Sequence, residues 1–279
     1  MAAGEEPLAG GLSNAGAVVR RGDVVDRPAP PTARALHAHL RALRRQGFDG
    51  APLPVRLADD GREQLSFVAG EVPIPPFPDW ALTDSALHSV GVLLRRLHDV
   101  SAAVPVDPGV AWPRDLADPE GGTMLCHNDV CRENVVFRAG RAAALIDFDL
   151  AAPGRPVWDV AMAARYWVPM RDPASAASVH PAGLDVPARL RLFADGYGLS
   201  PEQRAALPGV IVRAHDVCRA FVTDRVSAGD PNFTQALADR GGPERWDRLR
   251  TWLVAQHDTF SAALLGRPGR EEPGQHTGN

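Results

Sequence analysis

A proline-rich segment, residues 70–78, divides this chain into two parts with different sequence patterns. Proline has no backbone N–H and a fixed φ, so this segment can neither continue a strand nor begin a long helix. Short valine-rich runs precede it, and apolar residues at helical spacing follow it. We therefore predict an α+β fold with two lobes, a small β-rich lobe over 1–70 and a larger, mostly helical lobe over 71–266. Residues 267–279 are polar and glycine-rich, and are predicted to form a disordered tail.

The first lobe begins with a predicted hairpin, because two valine-rich runs flank the Arg21-Gly22 turn. A helix follows in which Leu36, Leu40 and Leu43 share one face. In chain order the predicted elements are strands over 17–20 and 23–27, a helix over 32–46, and strands over 54–57 and 64–68.

The second lobe is predicted to be helical around one block of short strands and loops, residues 124–154. Proline inside a helix removes a hydrogen bond, so we expect an interruption near Pro208. The predicted helices cover 84–100, 157–167, 187–197, 201–227, 231–238 and 243–265.

Composition excludes several classes of function. The net charge is −4 and the pI about 6.1, without the basic excess of a nucleic-acid-binding protein. No segment approaches the ~20 apolar residues of a membrane span, and the first residues lack a secretory signal, so no membrane partner is expected. The three cysteines form no CxxC pair, which favours reduced thiols and a cytoplasmic location. All thirty basic side chains are arginine, so no mechanism here can use a lysine ammonium.

Acidic and amide side chains gather around a second predicted hairpin. Residues 135–137 and 144–146 are apolar strands, so Asn134, at the start of one, lies beside Asp147, at the end of the other. Asp129 lies in the preceding loop. Phosphoryl transfer from ATP needs a carboxylate to accept the proton of the attacking hydroxyl and oxygen ligands for Mg²⁺. We assign Asp129 as the catalytic base, and Asn134 and Asp147 as Mg²⁺ ligands.

This pattern resembles the catalytic core shared by protein kinases and the aminoglycoside phosphotransferase family. The matching residues are His127, Asp129, Asn134 and Asp147. Residues 146–149 and 158–161 resemble the second group more than a protein kinase. The resemblance implies a bilobal, protein-kinase-like fold that transfers the γ-phosphate of ATP to a hydroxyl of a small molecule. It also implies a structural role for Asp159, which ties the catalytic loop to the following helix.

Five other positions complete the predicted site. Asp149 either binds a second metal ion or caps its loop, and His127 is expected to steady the catalytic loop rather than carry a proton. Residues 10–14 resemble the start of the family's nucleotide lobe, which makes Ser13 a candidate ATP contact, although a simple turn is the alternative. Backbone groups of Phe67 and Ala69, in the hinge between the lobes, are expected to meet the base of ATP.

The chain departs from kinases at the lysine that grips the phosphates and at its glutamate partner. The strand predicted over 23–27 ends in Asp26 and Arg27, and the following helix contains no Asp or Glu. We expect Arg27 to replace the lysine with its planar guanidinium, while Asp26 faces the opposite side of the strand. The alternative is that Arg27 is exposed and nucleotide binding is weak.

The acceptor stays open between an aminoglycoside-like antibiotic, an amino alcohol and a sugar. Asp216 and Asp224 would suit a polycation, but a solvated helix with ion pairs is the favoured interpretation of both. Two other functions remain as hypotheses: a kinase fold that binds ligand without turnover, and a metal-dependent hydrolase, for which a second histidine is missing. No obligate protein partner is evident.

Overall fold

The computed structural model describes residues 5–8, 16–172 and 184–266. Five antiparallel strands form one sheet, in the spatial order β1-β2-β3-β5-β4. These strands are β1 (Glu5–Pro7), β2 (Val19–Arg21), β3 (Val24–Pro28), β4 (Pro54–Leu57) and β5 (Arg62–Ser66). Helix α1 (Ala33–Arg45) lies between β3 and β4 in the chain and packs against β4, with its leucines buried as predicted. Ser13 and residues 267–279 lie outside the described residues.

The second part of the chain is mostly helical, which together with the sheet confirms the predicted α+β fold. Its helices are α2 (Asp84–Ser101), α3 (Pro156–Trp167), α4 (Val186–Tyr197), α5 (Pro201–Ser227), α6 (Pro231–Asp239), α7 (Glu244–Ala255) and α8 (His257–Leu265). Two strand pairs lie between α2 and α3 in the chain: β6 (Met124–Cys126) with β9 (Ala152–Gly154), and β7 (Val135–Arg138) with β8 (Arg141–Leu145). Among the described residues, no helix is both long and apolar enough to cross a membrane.

Two helix predictions were wrong in detail. Helix α5 runs without interruption through Pro208, because proline removes only one hydrogen bond and the buried Leu207 and Ile211 keep the helix packed on both sides of it. The long helix predicted over 243–265 is two helices, which meet at Gln256.

Helices α2 and α4 pack with their backbones in close contact, which fixes the position of α2. A Cβ on Gly91 would lie 2.8 Å from the carbonyl oxygen of Phe193, and a Cβ on Gly196 would lie 2.5 Å from that of His88. The two helix backbones therefore touch where any larger residue would hold them apart. This contact sets the position of His98, which lies near the end of α2 and reaches the candidate site.

Candidate functional site

The β7–β8 hairpin brings the first two predicted site residues together. Its turn is Ala139-Gly140, with φ of +49° and +73°, the pair of positive values that a tight hairpin turn requires. Val135 pairs with Leu145, and the amide of Ile146 donates to the carbonyl of Asn134 at 2.9 Å. Asn134 and Asp147 therefore leave the open end of the hairpin side by side, as the sequence predicts.

Asp159 holds the loop that carries Asp129. Its carboxylate accepts hydrogen bonds from the backbone amides of His127 at 2.7 Å and Asn128 at 2.8 Å, and lies 3.0 Å from Nε2 of His98. Burial alone would raise the pKa of Asp159, but the hydrogen bond and charge of His98 and the hydrogen bond from the backbone amide of His127 lower it below its usual value. Asn128 adopts φ +65°, a conformation that asparagine tolerates better than most residues.

His127 has no ring nitrogen left for a substrate. Its Nδ1 accepts from the amide of Asp129 at 3.3 Å, so its Nε2 donates to the carbonyl of Ile146 at 3.0 Å. Burial lowers the pKa of His127 despite the nearby charge of Asp159. Because Nδ1 accepts a hydrogen bond, the ring is neutral, and it joins the Asp129 loop to the residues that lead from β8 to Asp147.

The Asp129 carboxylate is held on both sides. Oδ1 accepts from the Tyr166 hydroxyl and Oδ2 from Nδ2 of Asn134, each at 3.1 Å. Burial, and then the charge of Asp147, raise the pKa of Asp129 to about 7. The sequence did not point to Tyr166, but a signal exists: it follows Asp159 by seven residues on α3, and seven residues return to the same helix face.

Arg27 connects the β-sheet to the acids of the site. Its Nη1 donates to Asp147 at 2.8 Å, its Nη2 to Asp149 at 2.5 Å, and its Nε to Glu63 at 2.8 Å. Only 6% of Arg27 is exposed, so the alternative of a surface arginine is wrong. These carboxylates outweigh the effect of burial and raise the pKa of Arg27 above its usual value.

Glu63 supplies the partner that the sequence seemed to lack. It lies on β5 directly opposite Arg27 on β3, is fully buried, and also contacts Nε2 of His37 from α1 at 2.6 Å. The prediction looked for an acid on α1 and began the strand at residue 64, whereas β5 begins two positions earlier and includes Glu63. Asp26 faces away from Arg27, as predicted, and contacts Arg62 and Gln64.

The donor set around Asp147 suits a hard cation. Asp147 and Asp149 direct one oxygen each at the same guanidinium, so the two carboxylates converge on a shared positive charge. Nδ2 of Asn134 faces Asp129, which leaves its amide oxygen as a further ligand. Burial, and then Asp147, raise the pKa of Asp149 to about 7 although Arg27 opposes this. Asp147 has φ +63°, a conformation that costs on the order of 1 kcal/mol in a non-glycine residue.

The two hinge residues are already bonded on one side each. The amide of Phe67 donates to the carbonyl of Asp23 at 2.8 Å, and the carbonyl of Ala69 accepts from Nε of Arg138 at 2.8 Å. Within the described part of the chain, the carbonyl of Phe67 and the amide of Ala69 make no hydrogen bond. These two groups, an acceptor and a donor, are the ones available to a base.

The acidic pocket considered for a polycation is not formed by Asp216. This side chain pairs with Nε of Arg250 at 2.9 Å on the surface, and Asp224 is exposed on the same helix. Both residues therefore match the solvated-helix interpretation.

Comparison with known proteins gives one family and one fold. The sequence profile of the phosphotransferase enzyme family matches residues 107–193. The trifolitoxin immunity protein of Rhizobium leguminosarum bv. trifolii is 32% identical over 260 residues, which covers 88% of this chain and 94% of that protein.

Solved structures with a similar fold include several kinases. A choline/ethanolamine kinase family protein from Mesorhizobium loti matches with a TM-score of 0.54 at 17% identity, covering 90% of this chain and 92% of its own. An ethanolamine kinase of Plasmodium vivax matches with a TM-score of 0.58 at 11% identity, covering 88% of this chain and 84% of its own. An aminoglycoside phosphotransferase from Streptomyces rimosus, solved with ADP and streptomycin, matches with a TM-score of 0.50 at 17% identity, covering 78% of this chain and 94% of its own. At these identities the likeness shows the fold alone, and it confirms the kinase-like architecture.

Proposed function

Because the chain belongs to the phosphotransferase enzyme family, we propose that it is a small-molecule kinase, which transfers the γ-phosphate of ATP to a hydroxyl of its substrate. The observation that carries the proposal is the convergence of Asp129, Asn134, Asp147 and Asp149 on one centre beside the buried Arg27. A cytoplasmic location is proposed with it, since the three cysteines are unpaired. No nucleic acid or membrane is needed as a partner.

ATP is proposed to bind between the lobes, whose boundary we place between residues 70 and 71. The carbonyl of Phe67 and the amide of Ala69 would meet the base, and Ser13 remains a candidate ATP contact. Arg27 would bond phosphate oxygens with the forked donors that suit them. Its bonds to Asp147 and Asp149, two of the proposed metal ligands, support this role.

Mg²⁺ would be held by Asn134, Asp147 and Asp149, and would neutralise negative charge on the phosphates. The chemistry of these donors supports the assignment, because two carboxylates and an amide oxygen are hard oxygen ligands. Arg27 bonds both carboxylates in this structure. Binding of ATP would favour Mg²⁺ binding, because the phosphates of ATP would draw the guanidinium away from Asp147 and Asp149.

Asp129 would orient the acceptor hydroxyl and accept its proton. The hydroxyl oxygen forms a bond to the γ-phosphorus, the bond from that phosphorus to the bridging oxygen of ADP breaks, and the proton moves to the Asp129 carboxylate. A pKa of about 7 leaves this carboxylate about half ionised at neutral pH, which suits a base better than an ordinary aspartate. Tyr166 and Asn134 fix its direction.

Calorimetric titration with Mg-ATP tests the nucleotide site. We expect binding by the wild type that requires Mg²⁺, and at least about tenfold weaker binding by Asp147→Ala, since one anionic ligand is lost. The control is Asp247→Ala, which removes an exposed carboxylate paired with Arg219 and should bind as the wild type does. Folded wild-type protein that binds no Mg-ATP would refute the kinase proposal.

A second candidate is a protein that binds its ligand without turnover. It is favoured by the ion pairs of Arg27 with both proposed metal ligands and by the name of one relative, an immunity protein. ADP release that depends on an added acceptor alcohol separates the two. For a kinase, Asp129→Asn should still bind Mg-ATP but lower turnover by about 100-fold or more. Ligand binding with no ADP release from any alcohol would favour the second candidate.

A further inference from the structure

Four arginines lie together on the helical side of the Asp129–Tyr166 pair. Arg165 is in the last turn of α3, Arg171 follows that helix, Arg240 caps the end of α6, and Arg245 is in the first turn of α7. We call these four residues the arginine cluster. Arg165, Arg171 and Arg240 all act electrostatically on Arg245, and Tyr166 does so too.

Two members of the cluster act electrostatically on residues of the catalytic loop. The charge of Arg165 acts on Asp129, the proposed base. The charge of Arg171 acts on Arg132, which lies in the catalytic loop, is almost fully buried, and stacks 4.7 Å from the ring centre of Phe77. Nε and Nη2 of Arg132 are buried and have no hydrogen-bond partner among the described residues. The catalytic loop therefore holds buried arginine donors that have no acceptor among the described residues.

The charge of Asp172 acts on Arg171, but no member of the cluster has, among the described residues, the close carboxylate partner that other arginines of this chain have. Arg250 pairs with Asp216 at 2.9 Å, and Arg189 pairs with Asp84 at 2.7 Å. Within the described ranges, no member of the cluster has a carboxylate oxygen within 4.0 Å. Nη1 of Arg165 instead donates to the sulfur of Cys218 at 2.6 Å. Residues 173–183, which follow Arg171 closely, contain no Asp or Glu.

Such an arrangement is unfavourable without a negative partner. Arg245 is half-buried, and burial followed by the charges of Arg240, Arg171 and Arg165 lowers its pKa to about 10. Its place in the first turn of α7 adds to this, because the beginning of a helix repels cations and attracts anions. A carboxylate or phosphate among these guanidiniums would offset the repulsion between them and form forked hydrogen bonds with them.

We propose that the acceptor of this kinase is an anion, an alcohol that carries a carboxylate or phosphate group, and that Arg171 and Arg245 hold that group while the hydroxyl meets Asp129. This inference deepens the proposed function and rests on it. A polycationic acceptor would be repelled by the same guanidiniums, and a neutral sugar would leave them unbalanced.

The first test measures binding without turnover, by calorimetry in a buffer free of sulfate and phosphate. Glycerol, glycerate and glycerol 3-phosphate share a skeleton and differ in the anionic group, so they distinguish a carboxylate site from a phosphate site. We expect an anion to bind at least about tenfold more tightly than glycerol. Arg171→Gln and Arg245→Gln should each weaken it by about tenfold or more, since each removes a charge-assisted contact.

The matched control is Arg250→Gln, on the same helix as Arg245 but paired with Asp216, and it should bind the anion as the wild type does. Glycerol that binds as tightly as both anions would overturn the proposal. Anion binding that persists in both cluster variants would also overturn it, because the anion would then lie elsewhere, for example at Arg27.

The second test screens alcohols sorted by charge for acceptor-dependent ADP release. We expect the highest kcat/KM with an anion, and for Arg245→Gln a KM raised by about tenfold with kcat nearly unchanged. A cationic or neutral alcohol as the best acceptor would refute the inference while leaving the kinase itself established. Absence of Mg-ATP binding would instead refute the kinase, and the calorimetric test would still decide the charge of the ligand.

Discussion

Replacing the proposed base by its amide, Asp129→Asn, should make the folded protein more stable. The carboxylate of Asp129 is held in a partly buried site beside the charge of Asp147, which is why its pKa is raised to about 7. Asparagine has nearly the same shape and removes the charge. Its oxygen can accept from Nδ2 of Asn134, and its amide can donate to the Tyr166 hydroxyl, so both 3.1 Å contacts keep a partner.

The size and pH dependence of the effect follow from the pKa. The folded pKa of about 7 lies above the unfolded value of 3.8, so ionisation of Asp129 favours the unfolded state. The penalty begins as the pH rises past 3.8 and is complete above about 7. Three pKa units at 1.36 kcal/mol each give an upper limit of about 4 kcal/mol. Partial exposure of the Asp129 carboxylate reduces this limit. We therefore expect Asp129→Asn to raise the free energy of unfolding by about 1–3 kcal/mol at pH 8 and to leave it almost unchanged at pH 4.

Urea unfolding at pH 4, 6 and 8 measures this difference, and a rise in Tm of about 3–8 °C at pH 8 should accompany it. Asp99→Asn is the control, because it removes an exposed carboxylate paired with Arg95 and should change stability by less than about 0.5 kcal/mol. An Asp129→Asn protein that is less stable than the wild type at pH 8, or equally stable at every pH, would show that Asp129 is not a perturbed buried acid.

Three other substitutions test the frame around the site. Glu63→Gln should destabilise the fold by about 3 kcal/mol in urea unfolding, because the buried Arg27 loses a charged partner. Asp159→Asn should lower stability at pH 7 by about 2–4 kcal/mol, because an asparagine cannot accept all the hydrogen bonds of this fully buried carboxylate; an unchanged Tm would contradict its role in holding the catalytic loop. Gly70→Ala should lower the free energy of unfolding by about 2–4 kcal/mol, since the φ of Gly70 is +149° and a Cβ would lie 2.5 Å from a backbone carbonyl oxygen. Gly121→Ala is its control and should lower it by about 1 kcal/mol, because the space around Gly121 is open.

The parts of the site that the sequence predicted are those built by local chain geometry. A tight hairpin forces its two open ends together, so the proximity of Asn134 and Asp147 follows from two short apolar strands and the turn between them. The position of Asp129 a few residues earlier limits how far it can lie from both. The two-lobe α+β fold follows in the same way, from apolar periodicity on either side of a proline-rich segment.

The residues that the sequence missed act through contacts between distant segments. Glu63 meets Arg27 only because β3 and β5 pair in a register that places them directly opposite each other, and a two-residue error in the start of β5 conceals this. Tyr166 shares a helix face with Asp159, yet its bond to Asp129 depends on how α3 packs beneath the loop. The arginine cluster is assembled from three helices, so no single stretch of sequence reveals it.

Arginine at position 27 can join more acidic side chains than a lysine at that position could. A lysine ammonium is a compact charge, whereas a guanidinium has separate donors on several edges. Arg27 uses Nε for Glu63 and its two Nη atoms for Asp147 and Asp149, so one side chain bonds three carboxylates at once. The acid partner can then lie on β5 instead of α1, because Nε bonds Glu63 on the neighbouring strand while the Nη atoms bond the two aspartates of the site. Glu63 would keep its bond when phosphates replace the two aspartates, so the same arginine would remain fixed in both states.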